Sequence, residues 1–166
     1  MPTKFEFLSS WVMQDRDPEW VIAATQKPAK VIEHFGAFPD GVNHRFVRKD
    51  TALMVAALHD RRKTLSELID NGADLNLQNA NGNTALHTAA FFGRLEIATA
   101  LVEAGADTSI YNAEVSTARD IASKPWTPDV EAKVKNVSDI FSLELRMPEV
   151  QERRSAVAHL LTQLGR

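Results

Sequence analysis

The chain matches itself at an offset of 33 residues, and that match restricts the possible folds more than any other feature of its 166 residues. Thr51 stands 33 before Thr84, Leu53 before Leu86, Ala56-Ala57 before Ala89-Ala90, and Gly72-Ala73-Asp74 before Gly105-Ala106-Asp107. Agreement at many positions of one period means a structural unit used repeatedly, each copy covering the apolar face of the next. The clearest copy is residues 84–107, TALHTAAFFGRLEIATALVEAGAD. Thr84 suits a helix N-cap, because its hydroxyl can accept from an amide of the first turn; Ala85–Phe92 then reads as a short helix. Gly93 ends it in the left-handed conformation. A second helix is expected from Arg94 to Ala104, with Leu95, Ala98, Leu101 and Val102 on one face, Glu96, Thr99 and Glu103 off it, and Gly105 at its close. Helices this short are marginal alone, so the small Ala89 and Ala90 read as points where neighbouring helices approach closely.

Thr84, Leu86, His87, Ala89, Ala90, Gly93 and Gly105–Asp107 meet the pattern T-P-L-H-x-A-A-x-x-G, apolar helix, G-A-D, with Ala85 in place of the Pro. The segment resembles an ankyrin repeat. That resemblance implies an all-α fold, an ankyrin-repeat helical solenoid of helix-turn-helix repeats with short β-hairpin loops and irregular N- and C-terminal helical caps. We expect one domain over 1–166: an N-terminal cap with a degenerate repeat (1–45), repeats at 46–78 and 79–111, a degenerate repeat at 112–144, and a C-terminal capping helix at 145–166.

In chain order, Phe5, Leu8 and Val12 suit a short helix, although Phe5-Glu6-Phe7 also allows an extended start. Asp17-Pro18 predicts a helix through Trp20–Ala24, and Pro28 another ending near Gly36. Ala23-Ala24 lie 33 before Ala56-Ala57, which places residues 17–36 in phase as the cap. In the first clear repeat Lys49, Met54 and Asp60 replace the usual turn Gly, His and inter-helix Gly, which argues against regular turns there. Leu65, Leu68 and Ile69 supply its second helix, and Asn81-Gly82 then signals a tight turn. Thr117-Ala118 and Ala122 keep the register of a third repeat, with Arg119 and Asp120 where Leu86 and His87 stand. Thr127-Pro128 opens a helix bearing Val130, Val134, Val137 and Phe141 at i, i+4, i+7 and i+11. Val130 and Val134 fall 33 after Ile97 and Leu101, so this helix reads as the second of the third repeat, and a last helix from Pro148 with Val150, Val157, Leu161 and Leu164 reads as the cap. In the alternative, 124–147 is an insertion and the last helix belongs to the third repeat.

Composition excludes several function classes. A net charge of −3 without a strongly basic segment argues against nucleic acid. With no Cys there is neither disulfide nor thiolate chemistry. Glu6 and Ser9-Ser10 interrupt any secretory apolar core, and no apolar run is long enough to span a bilayer, so a soluble, cytoplasmic monomer without membrane contact is expected. G-x-S-x-G, G-x-x-x-x-G-K and H-E-x-x-H are all absent, and we expect no catalytic residue, cofactor or metal. The five His, at 34, 44, 59, 87 and 159, are scattered. By the resemblance His87 is structural, bonding to loop backbone; three of the others, His34, His44 and His59, fall near the first repeats without a metal-binding spacing. Asp74, Asn76 and Gln78 alternate as in a calcium loop but lack its Gly and late Glu, and Arg61-Arg62-Lys63 reads as a solvated loop.

The resemblance further implies a non-enzymatic protein–protein interaction module, an adaptor or inhibitor, whose partner meets the hairpin loops and the concave groove lined by the first helices. The variable positions it points to are Arg48, Asp50, Leu58 and His59 in the first repeat, Asn81, Asn83, Phe91 and Phe92 in the second, and Glu114 in the third. Phe91-Phe92 beside Leu58 would form an exposed apolar anchor, unless an end segment covers the rings. Trp126 carries the same ambiguity and leans toward the core. A second class of function, a regulator responding to a small ligand or metal through the His and acidic residues of the first repeat, is the alternative.

Overall fold

The computed structural model describes residues 40–46, 49–140 and 143–164. After a 3-10 turn at Gly41–Asn43 these residues form seven α-helices: α1 (Ala52–Leu58), α2 (Arg62–Asp70), α3 (Ala85–Phe92), α4 (Leu95–Glu103), α5 (Ala118–Ser123), α6 (Pro128–Ile140) and α7 (Met147–Leu164). The helices expected before residue 37 lie outside the described residues.

Each first helix starts from a threonine. Thr51, Thr84 and Thr117 are extended, and their hydroxyls accept from the amides of Met54, His87 and Asp120. These caps satisfy donors that a helix N-terminus otherwise leaves open. Ala56, Ala57, Ala89 and Ala90 are fully buried, so α1, α3 and α5 stack with little between their backbones. The second helices fill the other layer with Leu65 and Leu68, then Ile97, Ala98 and Leu101. Gly93 has φ of 63°, and a Cβ there would come within 2.9 Å of the Val150 carbonyl, so the turn needs glycine both for conformation and for the approach of α7. The turns of the first repeat are regular despite their residues. Lys49 (φ 59°) and Asp60 (φ 55°) adopt the left-handed form that Gly82 and Gly93 take one period later.

Two expectations need correction. Among the described residues there is no strand, and the hairpin loops are tight turns, closed by the amides of Phe46, Asn79 and Asn112 to the carbonyls of Asp50, Asn83 and Ser116 at 2.9–3.0 Å and by the amides of Lys49, Gly82 and Val115 back to the carbonyls of Phe46, Asn79 and Asn112. Among the described residues the second and third turns share one backbone bond, Ala113 to the Asn81 carbonyl at 3.0 Å, too little for a sheet ladder.

The second correction concerns the third repeat. Its second helix is α7, which packs on α5 and also on α3 and α4; α6 makes only sparse helix contacts. Arg154, Val157, Ala158, Leu161 and Gly165 each stand 60 residues after Arg94, Ile97, Ala98, Leu101 and Gly105, one period of 33 plus 27 inserted. Val157 and Leu161 are buried like their counterparts, whereas Val130 is half-buried. Valines at one period's distance were an ambiguous signal. In α4 and α7 the buried stripe comes with an arginine, Arg94 and Arg154, that bonds a carbonyl of the preceding repeat. Residues between α5 and α7 are therefore an insertion carrying α6.

Candidate partner-binding surface

The loops that project from the stack, called fingers below, are held by their asparagines. Asn79 accepts the amides of Asn81 and Asn83 at 3.0 Å on its Oδ1, and its Nδ2 donates to Asp50 Oδ1 at 2.7 Å. One period later Asn112 accepts from Glu114 and Ser116 and donates to Asn83 Oδ1 at 2.9 Å. A second row runs beside the first: Arg45 donates to the Gln78 carbonyl, and Gln78 Nε2 donates to the Tyr111 carbonyl at 2.9 Å. A third joins the repeat ends, Asn43 accepting from the Asp74 amide and Asn76 from that of Asp107. Each finger is thus fixed by the next one along.

His87 belongs to this frame. Its Nδ1 accepts from the Thr84 amide at 3.2 Å, which leaves the proton on Nε2 to face the Ser116 carbonyl at 3.1 Å. Burial holds its pKa below the ordinary value, opposed by the backbone carbonyls of Ser116 and Ile110. Asp120, at the same position in the third repeat, closes the equivalent capping box on Thr117.

The expected contact residues separate into three groups. Asp50 is buried and Asn83 half-buried, and both serve as ladder acceptors. Leu58 and Phe92, 5% exposed, are core: with Val134 and Val150 they form an apolar cluster that Phe91, Trp126 and Val137 join. Phe91 meets Phe92 edge-on at 4.9 Å and lies under the Arg154 guanidinium, 5.6 Å away. The expected exposed aromatic patch is therefore closed, because the insertion and the start of α7 sit on it, and Trp126 goes with it into the cluster. His59 is half-buried; burial first, then Arg61 and Arg94, lowers its pKa to about 4, so it is neutral at physiological pH. Arg48 lies outside the described residues. Asn81 and Glu114 remain exposed at finger tips, Glu114 beside Lys124 at 3.5 Å.

Two residues that the sequence reading passed over stand at the open end of the ladder. Tyr111 is 60% exposed, occupying the position from which Arg45 and Gln78 reach forward to a following finger. Val115 is 77% exposed with φ of 54°, a left-handed conformation that a β-branched residue rarely takes. Its position, 33 after Gly82, was the available signal.

Of the histidines weighed for the ligand-responsive alternative, His34 lies outside the described residues, and among the described residues no group of three or more His, Asp or Glu is placed to hold a metal. A cavity of about 320 Å³ between α5 and α7 is lined by Lys124, Trp126, Gln151, Arg154 and Ser155 among others. No helix among the described residues is long and apolar enough to cross a membrane.

The family of ankyrin repeats, in three copies, matches residues 20–112, more than half of the chain. The chain belongs to the ankyrin-repeat family. No curated protein matches it. The match covers α1 to α4 and the loop after them, and it ends before α5 and the insertion that follows it. Ankyrin repeats are generally protein-interaction modules and typically non-enzymatic.

Proposed function

We propose that this ankyrin-repeat protein is a non-enzymatic adaptor or inhibitor that binds a protein partner along its fingers, and that the open end of the ladder, Tyr111 and Val115 with Glu114 and Asn81 beside them, is the principal contact. The observation that carries this is Val115. A glycine would hold the same turn without strain, as Gly82 does one period earlier, yet a β-branched apolar side chain is held there in water. Tyr111 adds an aromatic ring with a polar tip, the residue type most often found as an interface anchor. The ladder beneath keeps both in place before a partner arrives, which reduces the ordering cost of binding. The concave groove contributes less, since α1 is buried throughout and α3 presents only Thr88 and Phe91 in part. We further propose that the protein acts as a cytoplasmic monomer without nucleic-acid or membrane contact.

The test is capture from the native lysate by wild type and by a Tyr111→Ser/Val115→Gly variant, circular dichroism confirming that both are folded. A stoichiometric protein held by wild type and lost by the variant supports the assignment. The same protein held equally by both would refute it.

A further inference from the structure

The insertion is attached to the repeat stack in an unusual way. Among the described residues, the hydrogen bonds of α6 stay inside the insertion: Val130 and Glu131 to Thr127, Trp126 Nε1 to Glu131 Oε2, and the paired bonds of Ser138 with Leu143. Among the described residues no ion pair involves a residue of α6. What meets the stack is apolar. Val134, fully buried, and Val137, half-buried, rest on Leu58, Phe91, Phe92 and Val150, a cluster separate from the main core. The charged residues Asp129, Glu131, Lys133, Lys135 and Asp139 all face solvent. Branched side chains at i and i+3 in an apolar groove, with a mixed-charge face outward, is how a separate amphipathic helix docks in a groove.

We propose that the seat formed by Leu58, Phe91, Phe92 and Val150 is a helix-binding surface whose resident occupant is α6. Its partner is an amphipathic helix with branched aliphatic residues three apart and a nearly neutral polar face, which enters when α6 leaves. The proposal deepens the interaction-module reading and rests on it. The seat belongs to the stack, so it persists when α6 swings out; Pro125 and Pro128 on one side and the non-helical residues 143–146 on the other bound the moving piece. Segments tied to a fold by few contacts open well below the global unfolding free energy, and α6 meets that description.

The probe is a labelled peptide of residues 126–142 of this chain, titrated onto the full-length wild type and a Val134→Asp/Val137→Asp variant whose own helix is driven off the seat. Binding at least tenfold tighter to the variant than to wild type, unchanged by added salt and abolished when the peptide carries the same two changes, is expected. A folded variant that does not bind, or a wild type that binds equally well, would overturn the proposal. Amide exchange of the wild type gives an answer that does not depend on the variant folding: α6 amides should exchange at least tenfold faster than those of α3 and α4, and equal rates would overturn it. A dimer that exchanges α6 between copies would overturn the separate partner in favour of a second copy of this chain. Lysate capture through Tyr111 and Val115 is read separately, so either proposal can fail while the other stands.

Discussion

Arg154 offers the sharpest test of how the last repeat is joined. Its side chain is 3% exposed, and Nη1 and Nη2 donate to the carbonyls of Phe91 at 3.1 Å and Ile121 at 2.6 Å. Both carbonyls lie near helix C-termini, where partial negative charge and missing partners make a cation welcome. The guanidinium also stacks 5.6 Å from the rings of Phe91 and Trp126. Arg94 makes the equivalent bond one repeat earlier, to the Leu58 carbonyl at 3.0 Å, where Asp60 supplies a carboxylate at 3.7 Å; Gly93 stands at that position for Arg154. Arg154→Met keeps most of the volume but leaves the Phe91 carbonyl without a donor, at ~1–3 kcal/mol, leaves the Ile121 carbonyl with only the Lys124 amide at 3.4 Å, and removes ring contacts worth ~0.5–1 kcal/mol. Relief of the desolvated charge, visible in the lowered pKa of this arginine, offsets part of that. A net loss of ~1–3 kcal/mol is expected, read as a fall in the urea midpoint at unchanged slope. Arg153→Met, the exposed neighbour, should cost under ~0.5 kcal/mol. Equal effects from the two substitutions would refute the view that Arg154 ties α7 to α3 and α5.

Other outcomes follow from the same geometry. Leu101→Ala, at a fully buried position, should lower stability by ~2–5 kcal/mol, and Leu161→Ala should fall in the same range because α7 is a full member of the stack; a negligible loss at Leu161 in equilibrium unfolding would contradict that membership. Val115→Gly should raise stability by up to ~1 kcal/mol, since relief of left-handed strain at ~1–2 kcal/mol exceeds the ~0.5–1 kcal/mol entropic cost of glycine; destabilisation in thermal melts would count against strain. His59 and His87 both have pKa values lowered by burial, so the unfolded chain binds more protons than the folded one below about pH 6.5. Stability should be complete above that pH and fall as pH drops from 6.5 toward 4, with His59 contributing ~1–2 kcal/mol after allowance for its partial exposure. His59→Gln should flatten this dependence in urea titrations at pH 7 and pH 5.

The period made the central repeat readable almost residue by residue, because capping threonines, αL glycines and buried alanines are local requirements that a sequence states directly. Thr84, Gly93 and Ala89-Ala90 all do what their chemistry demands. The third repeat was harder. Val130 and Val134 satisfied the period by spacing alone, while the true counterparts of Ile97 and Leu101 lay 27 residues further on, where Arg154 was the marker. Lys49 and Asp60 looked like breaks in the pattern, but the surrounding turn forces the left-handed form on them. The contact surface was least legible. Leu58, Phe91 and Phe92 occupy positions that face the groove in a regular stack, and only the three-dimensional path of the insertion covers them. Asp50 and Asn83 face their neighbouring fingers, a relation between repeats that no single repeat displays.

Site-specific photo-cross-linking would test the proposed contact most directly, comparing Tyr111→p-benzoylphenylalanine with Phe91→p-benzoylphenylalanine in full-length protein incubated with native lysate. If a partner engages the open end of the ladder, position 111 forms a discrete adduct with another protein, whether or not position 91 also reacts. No adduct at 111 with a protein that the wild type captures would contradict it.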